Sequence, residues 1–327
     1  MVSNPAAAAL TPDLPDAVKS SNFIARSQCP ACGSASFRPV FSCGYDSPLI
    51  HGYLTRHYEG LARLELLNGQ EFTVCRCDGC TLLFQPLAPA GDLLHELYDR
   101  WIPPITPRQV YENDDLTTGR YRVDQVDFLV ATTRLKPTDI RFLDFGSGWS
   151  EWLSVARAFG CDVAGAELSL VRQAHAATLG IPMLDWDEIG RRRFEIINLE
   201  QVLEHLVDPI SILSHLRNSL EPNGVLRVSV PDGRKMPERL ATLAPSATVA
   251  PGFLMPVQPL EHLNCFSYKS LATIAESAGL RVLRPSLRGL YDSVSGWCSL
   301  KGAARNLVRP VYRHIYPKST IAFFAKA

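Results

Sequence analysis

The segment Phe142-Leu-Asp-Phe-Gly-Ser-Gly-Trp149 restricts the fold of this chain more than any other part of the sequence. An apolar run leads into two closely spaced glycines and then into a helical pattern that begins at Glu151. Such a turn lets the backbone approach a ligand closely, and the start of the helix favours a negative group. A dinucleotide-binding turn has a third glycine where Glu151 stands, and a carboxylate there would repel a pyrophosphate. The turn therefore disfavours NAD and FAD.

Apolar runs alternate with amphipathic stretches from Ile140 onward, after a helical stretch in 91–138. Strands are predicted at 140–145, 162–166, 181–184, 194–199, 225–230 and 320–326, and helices at 151–159, 170–179, 209–220 and 270–278. This order predicts an α/β fold, a mostly parallel Rossmann-like sheet with helices on both faces and a final antiparallel strand. The proline-rich segment 235–262 is long and irregular, which predicts a lid over a site.

An acidic residue follows the second predicted strand at the position where nucleosides are often bound. Glu167 lies 19 residues after Gly148, and an acid about 20 residues beyond such a turn binds ribose hydroxyls. Together with a turn that repels pyrophosphate, Glu167 indicates an adenosine ligand without phosphates.

Six of the nine cysteines lie between Cys29 and Cys80, and four of them form two C-x-x-C pairs. The pairs are Cys29 with Cys32 and Cys77 with Cys80, separated by 44 residues. Two such pairs are typical of a tetrahedral zinc site, and four thiolates leave no open coordination position, so the zinc is expected to be structural. Cys75 competes with Cys77 as a ligand, but only Cys77 has C-x-x-C spacing to Cys80. We predict a small N-terminal zinc-ribbon domain over 29–90.

The sequence indicates a cytoplasmic protein. Residues 1–20 lack the basic start of a signal peptide, and no run of about 18 apolar residues could span a membrane. Cytosolic thiols stay reduced, which agrees with metal binding by the cysteines. The predicted organisation is a mobile leader (1–28), the ribbon domain (29–90), a cofactor-binding α/β domain (91–280) and a C-terminal segment (281–327).

Charge is distributed unevenly, although 33 Lys and Arg residues balance 33 Asp and Glu residues. Residues 281–327 hold nine basic residues and one acidic residue, so this tail carries +8 and the rest of the chain −8. Apolar residues at helical spacing, with Lys301, Arg305, Arg309 and Arg313 at four-residue steps, predict a basic amphipathic helix. Three roles are open for such a helix. It packs on the sheet with its cationic face in solvent, it lies on an anionic membrane surface, or it contacts a phosphorylated substrate. Residues 28–90 are slightly acidic, which argues against a nucleic-acid partner.

The chain resembles the class I S-adenosylmethionine-dependent methyltransferases, in the subgroup with an N-terminal zinc ribbon. The resemblance rests on the segments beginning at Asp144, Glu167, Ile196, Leu220 and Glu261. It implies S-adenosylmethionine as cofactor, bound by residues of four loops. These are Asp144, Gly146, Ser147 and Gly148 near the methionine part, Glu167 at the ribose, Leu168, Asp185 and Trp186 at the adenine, and Glu200 and Gln201 facing the methyl group.

His205 and His262 are the candidate catalytic residues, each preceded by a glutamate, and we include Glu204 with them. In some related O-methyltransferases and RNA-end methyltransferases, a Glu-x-x-Glu-His segment and a distant histidine bind a metal. Here Gln201 stands at the first position, and an uncharged amide is a weaker Mg²⁺ ligand. The sequence thus argues against a catalytic metal.

The resemblance implies methyl transfer to a small molecule, with O-methylation of a carbohydrate or other metabolite as the leading hypothesis. The acceptor could be anionic or phosphorylated. Three alternatives stay open at this point: an RNA methyltransferase that holds RNA through the ribbon and tail, a sugar C-methyltransferase, and a non-catalytic binding module of the same fold.

Overall fold

The computed structural model describes residues 22–102, 116–250, 252–284, 304, 306–308, 311 and 321–327. Most of the predicted leader and the four basic residues of the tail helix lie outside these residues, although 304, 306–308 and 311 are helical. Within the described part, no helix combines the length and apolar character needed to cross a membrane.

The described strands and helices follow in chain order. The strands are β1 (Phe23–Ala25), β2 (Phe37–Gly44), β3 (Glu71–Cys77), β4 (Leu83–Phe84), β5 (Leu87–Pro89), β6 (Arg141–Phe145), β7 (Asp162–Ala166), β8 (Phe194–Glu200), β9 (Leu220–Ser229), β10 (Asn264–Cys265), β11 (Leu280–Val282) and β12 (Ile321–Lys326). The α-helices are α1 (Pro48–His57), α2 (Gly91–Glu96), α3 (Leu116–Thr133), α4 (Glu151–Ala158), α5 (Leu170–Thr178), α6 (Trp186–Arg191), α7 (Pro209–Ser219), α8 (Met236–Ala241) and α9 (Tyr268–Ser277).

The central sheet has six strands in the order β11-β12-β9-β8-β6-β7. Strands β7, β6, β8 and β9 run parallel to one another, whereas β12 is antiparallel to both β9 and β11. Strands β6 and β8 are buried along nearly their whole length, as expected where helices cover both faces of a parallel sheet. The predicted α/β class, the parallel strands and the final antiparallel strand are confirmed.

A second sheet belongs to the N-terminal domain, with the order β10-β4-β3-β2. Its strand β10 comes from residues beyond the proline-rich segment, so the two predicted domains share a sheet rather than meeting at a simple boundary. The predicted mobile leader is wrong for its last residues because Phe23–Ala25 pairs antiparallel with β5.

The strand predicted at 181–184 is not formed. Met183 makes a single parallel bridge to Gly165, at the outer edge of β7, instead of a ladder. The segment 235–262, predicted as a lid, contains α8 and a 3₁₀ turn at Met255–Val257. Its buried residues, among them Leu254 and Leu260, pack in one apolar cluster with α1 and β3. The segment is therefore a packed wall of the N-terminal core.

Candidate functional site

Four cysteines of the N-terminal domain converge on one point. The Sγ atoms of Cys29 and Cys80 lie 3.5 Å apart and those of Cys32 and Cys77 lie 3.6 Å apart, and all four atoms lie within 4.8 Å of one another. Tetrahedral zinc with Zn–S bonds of about 2.3 Å places its sulfurs about 3.8 Å apart. The cluster therefore fits zinc, and the four predicted ligands are brought together. Cys75 is buried but does not join them.

The glycine turn at the carboxyl end of β6 requires glycine at its first position. The N–H groups of Gly146 and Ser147 donate to the carbonyl of Ala166 at 2.8 and 3.0 Å. Gly146 and Gly148 have φ of +77° and +55°, a region that other residues rarely adopt. A Cβ atom added to Gly146 would lie 2.5 Å from a methyl group of Val202. The turn is thus folded tightly onto the end of β7 and onto the loop after β8.

Glu167 braces this turn through its carboxylate. Its Oε2 accepts a hydrogen bond from Gly148 N at 2.9 Å, and its Oε1 accepts one from Ser169 N at 2.8 Å. Arg172 lies 3.8 Å away. Each carboxylate oxygen has a further lone pair, so the side chain is held in place and can still accept hydrogen bonds from a ribose diol. These residues fit the adenosine part of S-adenosylmethionine.

A buried polar network lies beneath the turn and joins three strands. Asn198 donates to Asp144 Oδ1 at 2.7 Å, and Arg227, which is fully buried, donates to Asn198 Oδ1 at 2.7 Å and to Glu200 Oε2 at 2.6 Å. Arg227 also donates to the hydroxyl of Tyr121 at 2.7 Å. Burial raises the pKa of Asp144 to about 7. Sequence reasoning missed Arg227, since a basic residue inside an apolar strand gives no sign of its partners.

Asp185 and Trp186, predicted to lie at the adenine, have structural partners. Asp185 caps α6 by accepting from Glu188 N at 2.7 Å, and the Trp186 ring stacks on His215 with centroids 3.6 Å apart. The side chains thus connect α6 to α7, and their role at the adenine stays a prediction.

Three further predicted cofactor residues differ in accessibility. Ser147 is buried, with its hydroxyl 3.7 Å from the sulfur of Met183, whereas Leu168 is 40% exposed beside Glu167. Gln201 has a φ of +55° and donates to Ser229 Oγ at 3.2 Å. The exposed leucine is available to a ligand, whereas the buried side chain of Ser147 is not.

The three candidate catalytic residues lie together. One ligand-type atom from each of Glu204, His205 and His262 falls within 4.8 Å of the others, and the two imidazole rings are perpendicular with centroids 4.7 Å apart. Glu204 is fully buried, and burial raises the pKa of its carboxyl to about 8. Burial also lowers the pKa of His205 and lowers that of His262 to about 4, so both rings are neutral at neutral pH.

Glu261 stands beside this group and is held by the insertion between the cysteine pairs. Its Oε1 accepts hydrogen bonds from His57 Nε2 at 3.0 Å and from Tyr58 OH at 2.8 Å. Gln258 Nε2 donates to the same oxygen at 2.5 Å. Although burial opposes ionisation, the hydrogen bonds from His57 and Tyr58 leave the pKa of Glu261 below its ordinary value. The N-terminal domain thus forms part of the wall around the candidate catalytic group.

Arg26 and Gln85 connect the N-terminal domain to the same loops. Arg26 Nη1 donates to Asn264 Oδ1 at 2.8 Å, and Asn264 Nδ2 donates to the carbonyl of Leu206 at 2.7 Å. Gln85 Nε2 donates to the carbonyl of His262 at 3.0 Å. These contacts hold the loops that carry His205 and His262 against the N-terminal domain. No local sequence pattern predicts them.

Comparison with known proteins gives one curated relative and several solved structures. The ubiquinone biosynthesis O-methyltransferase of Histophilus somni (strain 2336) is 29% identical over 105 residues, which cover 27% of this chain and 44% of that protein. The chain thus spans less than half the length of this relative. A sugar N-methyltransferase, KedS8 from Streptoalloteichus sp ATCC 53650, is 18% identical, with 39% of this chain and 55% of that chain covered and a TM-score of 0.33.

Streptomyces venezuelae DesVI is 16% identical, with 68% of this chain and all of that chain covered and a TM-score of 0.42. At these TM-scores the structural similarities carry no information about the substrate. The model of a family described as a methyltransferase domain matches residues 117–284, just over half of this chain. The chain therefore belongs to this methyltransferase family, within the class I S-adenosylmethionine-dependent methyltransferases.

Proposed function

We propose that this chain transfers a methyl group to a small molecule, and that it O-methylates a carbohydrate or another metabolite. The observation that carries the proposal is the adjacency of the turn braced by Glu167 and the group formed by Glu204, His205 and His262. Val202 connects the turn to this group. Its side chain packs against Gly146, and Glu204 follows it by two residues in the sequence. A cofactor turn and a polar group for the acceptor therefore occur at one edge of the sheet.

The turn and Glu167 would hold S-adenosylmethionine through its methionine and ribose parts. When bound, this cofactor supplies a methyl group on a positively charged sulfur. The chain's own contribution is mainly to position the acceptor, since methyl transfer depends on alignment of the reacting atoms. The name of the Histophilus somni relative, an O-methyltransferase, supports oxygen as the acceptor atom.

The histidines can orient a hydroxyl group of the acceptor. Nδ1 of His262 donates to the carbonyl of Met255, which leaves Nε2 with a free lone pair in the neutral ring. That nitrogen can accept a hydrogen bond from a hydroxyl and so direct the oxygen's lone pair. His205, also neutral, stands perpendicular to it.

A radiolabelled methyl-transfer assay tests the proposal. The full chain is incubated with labelled S-adenosylmethionine and separate panels of nucleotide sugars, phenols and RNA. We expect label in a hydroxyl compound, a lower rate for His262→Asn, and an unchanged rate for His51→Asn, an exposed histidine on α1. Label only in RNA, or a product methylated on carbon or nitrogen by mass spectrometry and NMR, would contradict the proposal.

A further inference from the structure

Arg26 is a partly buried cation whose hydrogen-bond partners are all neutral. Its Nε and Nη2 donate to the carbonyl of Gln85, Nη2 also donates to the carbonyl of Leu263 at 2.8 Å, and Nη1 donates to Asn264 Oδ1 at 2.8 Å. No carboxylate of the described residues lies within 4.0 Å of these nitrogen atoms. Removing a cation from water is unfavourable unless an opposite charge lies near it. The hydrogen bonds thus satisfy the N–H groups of Arg26 and leave its charge unmatched.

The four-cysteine site lies beside Arg26. Arg26 precedes Cys29 by three residues, and its guanidinium lies over the ring of Phe84, 5.3 Å from the centroid. Phe84 belongs to the same buried cluster as Cys29 and two more of the four cysteines. Burial lowers the pKa of Arg26 to about 10, and the charges of Cys29 and Cys75 oppose this shift. The guanidinium is therefore charged at neutral pH, and the thiolate of a predicted zinc ligand stabilises that charge.

We infer that Arg26 is the counter-cation of the zinc–thiolate site and that its charge strengthens zinc binding. Four thiolates on one Zn²⁺ give this site a net charge of −2. The protein interior screens charges less than water does, so a cation beside a buried anionic site interacts with it strongly. Groups that surround the ligands of a metal commonly change its affinity by roughly 10- to 100-fold. Arg26 is fixed in that position by its own hydrogen bonds, and its inferred role does not depend on the proposed function.

Two other arginines near the cysteine pairs differ from Arg26 and serve as comparisons. Arg38 on β2 is exposed, and its charge is matched by Asp78. Arg76 precedes the predicted ligand Cys77 on β3, and successive side chains of a strand point to opposite faces of the sheet. The side chain of Arg76 therefore lies on the face opposite to the thiol of Cys77.

The charge of Arg26 and its hydrogen bonds can be tested separately. Lysine keeps the charge but lacks the planar fork of donors, whereas glutamine lacks both. If Arg26 acted only as a brace for Gln85, Leu263 and Asn264, both substitutions would harm the zinc site to a similar degree. If its charge matters, lysine should preserve zinc binding and glutamine should not.

Zinc affinity can be measured in the full chain without cofactor or acceptor. The zinc-loaded protein is titrated with a chromophoric chelator, and the zinc transferred at each step gives the relative dissociation constant. We expect Arg26→Gln to bind zinc roughly 10- to 100-fold more weakly than the wild type. We expect Arg26→Lys, Arg38→Gln and Arg76→Gln to stay within about threefold of the wild type, since surface charges contribute little.

Three results would overturn the inference. One is wild-type zinc affinity in Arg26→Gln, and another is equal weakening in Arg26→Gln and Arg26→Lys, which would assign Arg26 the role of a brace. The third is a loss in Arg76→Gln as large as that in Arg26→Gln, because any nearby charge would then have the same effect.

The thiol of Cys75 is the other group whose charge acts on Arg26, and a double variant separates it from the zinc site. Arg26→Gln should weaken zinc binding by the same factor in a Cys75→Ser chain, whereas disappearance of the effect would assign Arg26 to Cys75 and overturn the inference. If Arg26→Gln does not fold, citrulline at this position decides, because it has nearly the shape of arginine and no charge. A synthetic segment that ends before Cys29 can be ligated at that cysteine to introduce it.

Discussion

Glu167→Gln should weaken cofactor binding in addition to destabilising the fold. The carboxylate accepts one backbone N–H on each oxygen, from Gly148 at 2.9 Å and from Ser169 at 2.8 Å. Glutamine keeps one oxygen and turns an NH₂ group toward the other donor, so one charge-assisted hydrogen bond is lost. Such bonds contribute about 1.5–3 kcal/mol. We expect the free energy of unfolding to fall by about this amount.

The effect on cofactor affinity has a separate origin. Ribose hydroxyls would donate to the remaining lone pairs of the same carboxylate, and a neutral amide accepts less strongly and from one atom only. A further loss of about 1.5–3 kcal/mol corresponds to roughly 10- to 150-fold weaker binding of S-adenosylhomocysteine. Isothermal titration calorimetry measures the affinity, and urea denaturation measures the stability.

Glu195→Gln is the matched control. Glu195 also accepts a backbone hydrogen bond, from Arg141 N at 2.7 Å, but it lies at the amino end of β8, away from the turn. Its variant should lose stability to a similar degree and bind S-adenosylhomocysteine within about twofold of the wild type. If Glu167→Gln loses stability but keeps wild-type affinity, the carboxylate is only a brace of the turn and the ribose assignment is wrong.

Three further predictions concern the buried groups. Cys77→Ser should lose the zinc and melt at lower temperature, whereas Cys75→Ser should keep the metal, as counted by mass spectrometry, because Cys75 is outside the cluster. Arg227→Met should lower the free energy of unfolding in urea by about 2–4 kcal/mol, because Glu200 and Asn198 lose a buried partner; adding Glu200→Gln should restore part of it. The pKa of Asp144 is raised from 3.8 to about 7. Between these pH values the Asp144 carboxyl is ionised in the unfolded chain and protonated in the folded chain. The free energy of unfolding of the wild type, relative to that of Asp144→Asn, should therefore fall by about 2–3 kcal/mol from pH 5 to pH 7. Equal pH profiles of unfolding would contradict this reasoning.

The parts of the fold that depend on local pattern were predictable. The glycine turn, its flanking strand and helix, and Glu167 follow from spacing alone, and the structure places them as the pattern predicts. The two cysteine pairs were equally visible, because a C-x-x-C turn aims its own thiolates at one point. In each case the residues that matter are close in sequence or share a fixed motif.

The failures have a common physical cause in long-range pairing. Strands β1 and β10 have two or three residues and exist only because distant segments complete their hydrogen bonds. The segment 181–184 has strand-like composition, yet within the described part of the chain its only strand pairing is the single bridge at Met183. The composition of a short apolar run does not show whether a second strand will lie beside it. The sequence alone therefore could not predict these short strands or exclude a strand at 181–184.

The N-terminal domain and the group formed by Glu204, His205 and His262 form one structural unit, although they lie in separate parts of the sequence. Arg26 reaches Asn264 across 238 residues and His57 reaches Glu261 across 204. Strand β10 pairs with β4, next to the loop that carries His262. A zinc ion that fixes β3 and its neighbouring turn would therefore also fix the wall around Glu204 and the two histidines. Loss of the four-cysteine site should therefore disturb Glu204 and the two histidines before it disturbs the turn at Gly146. That turn is held independently by β6, β7 and Glu167.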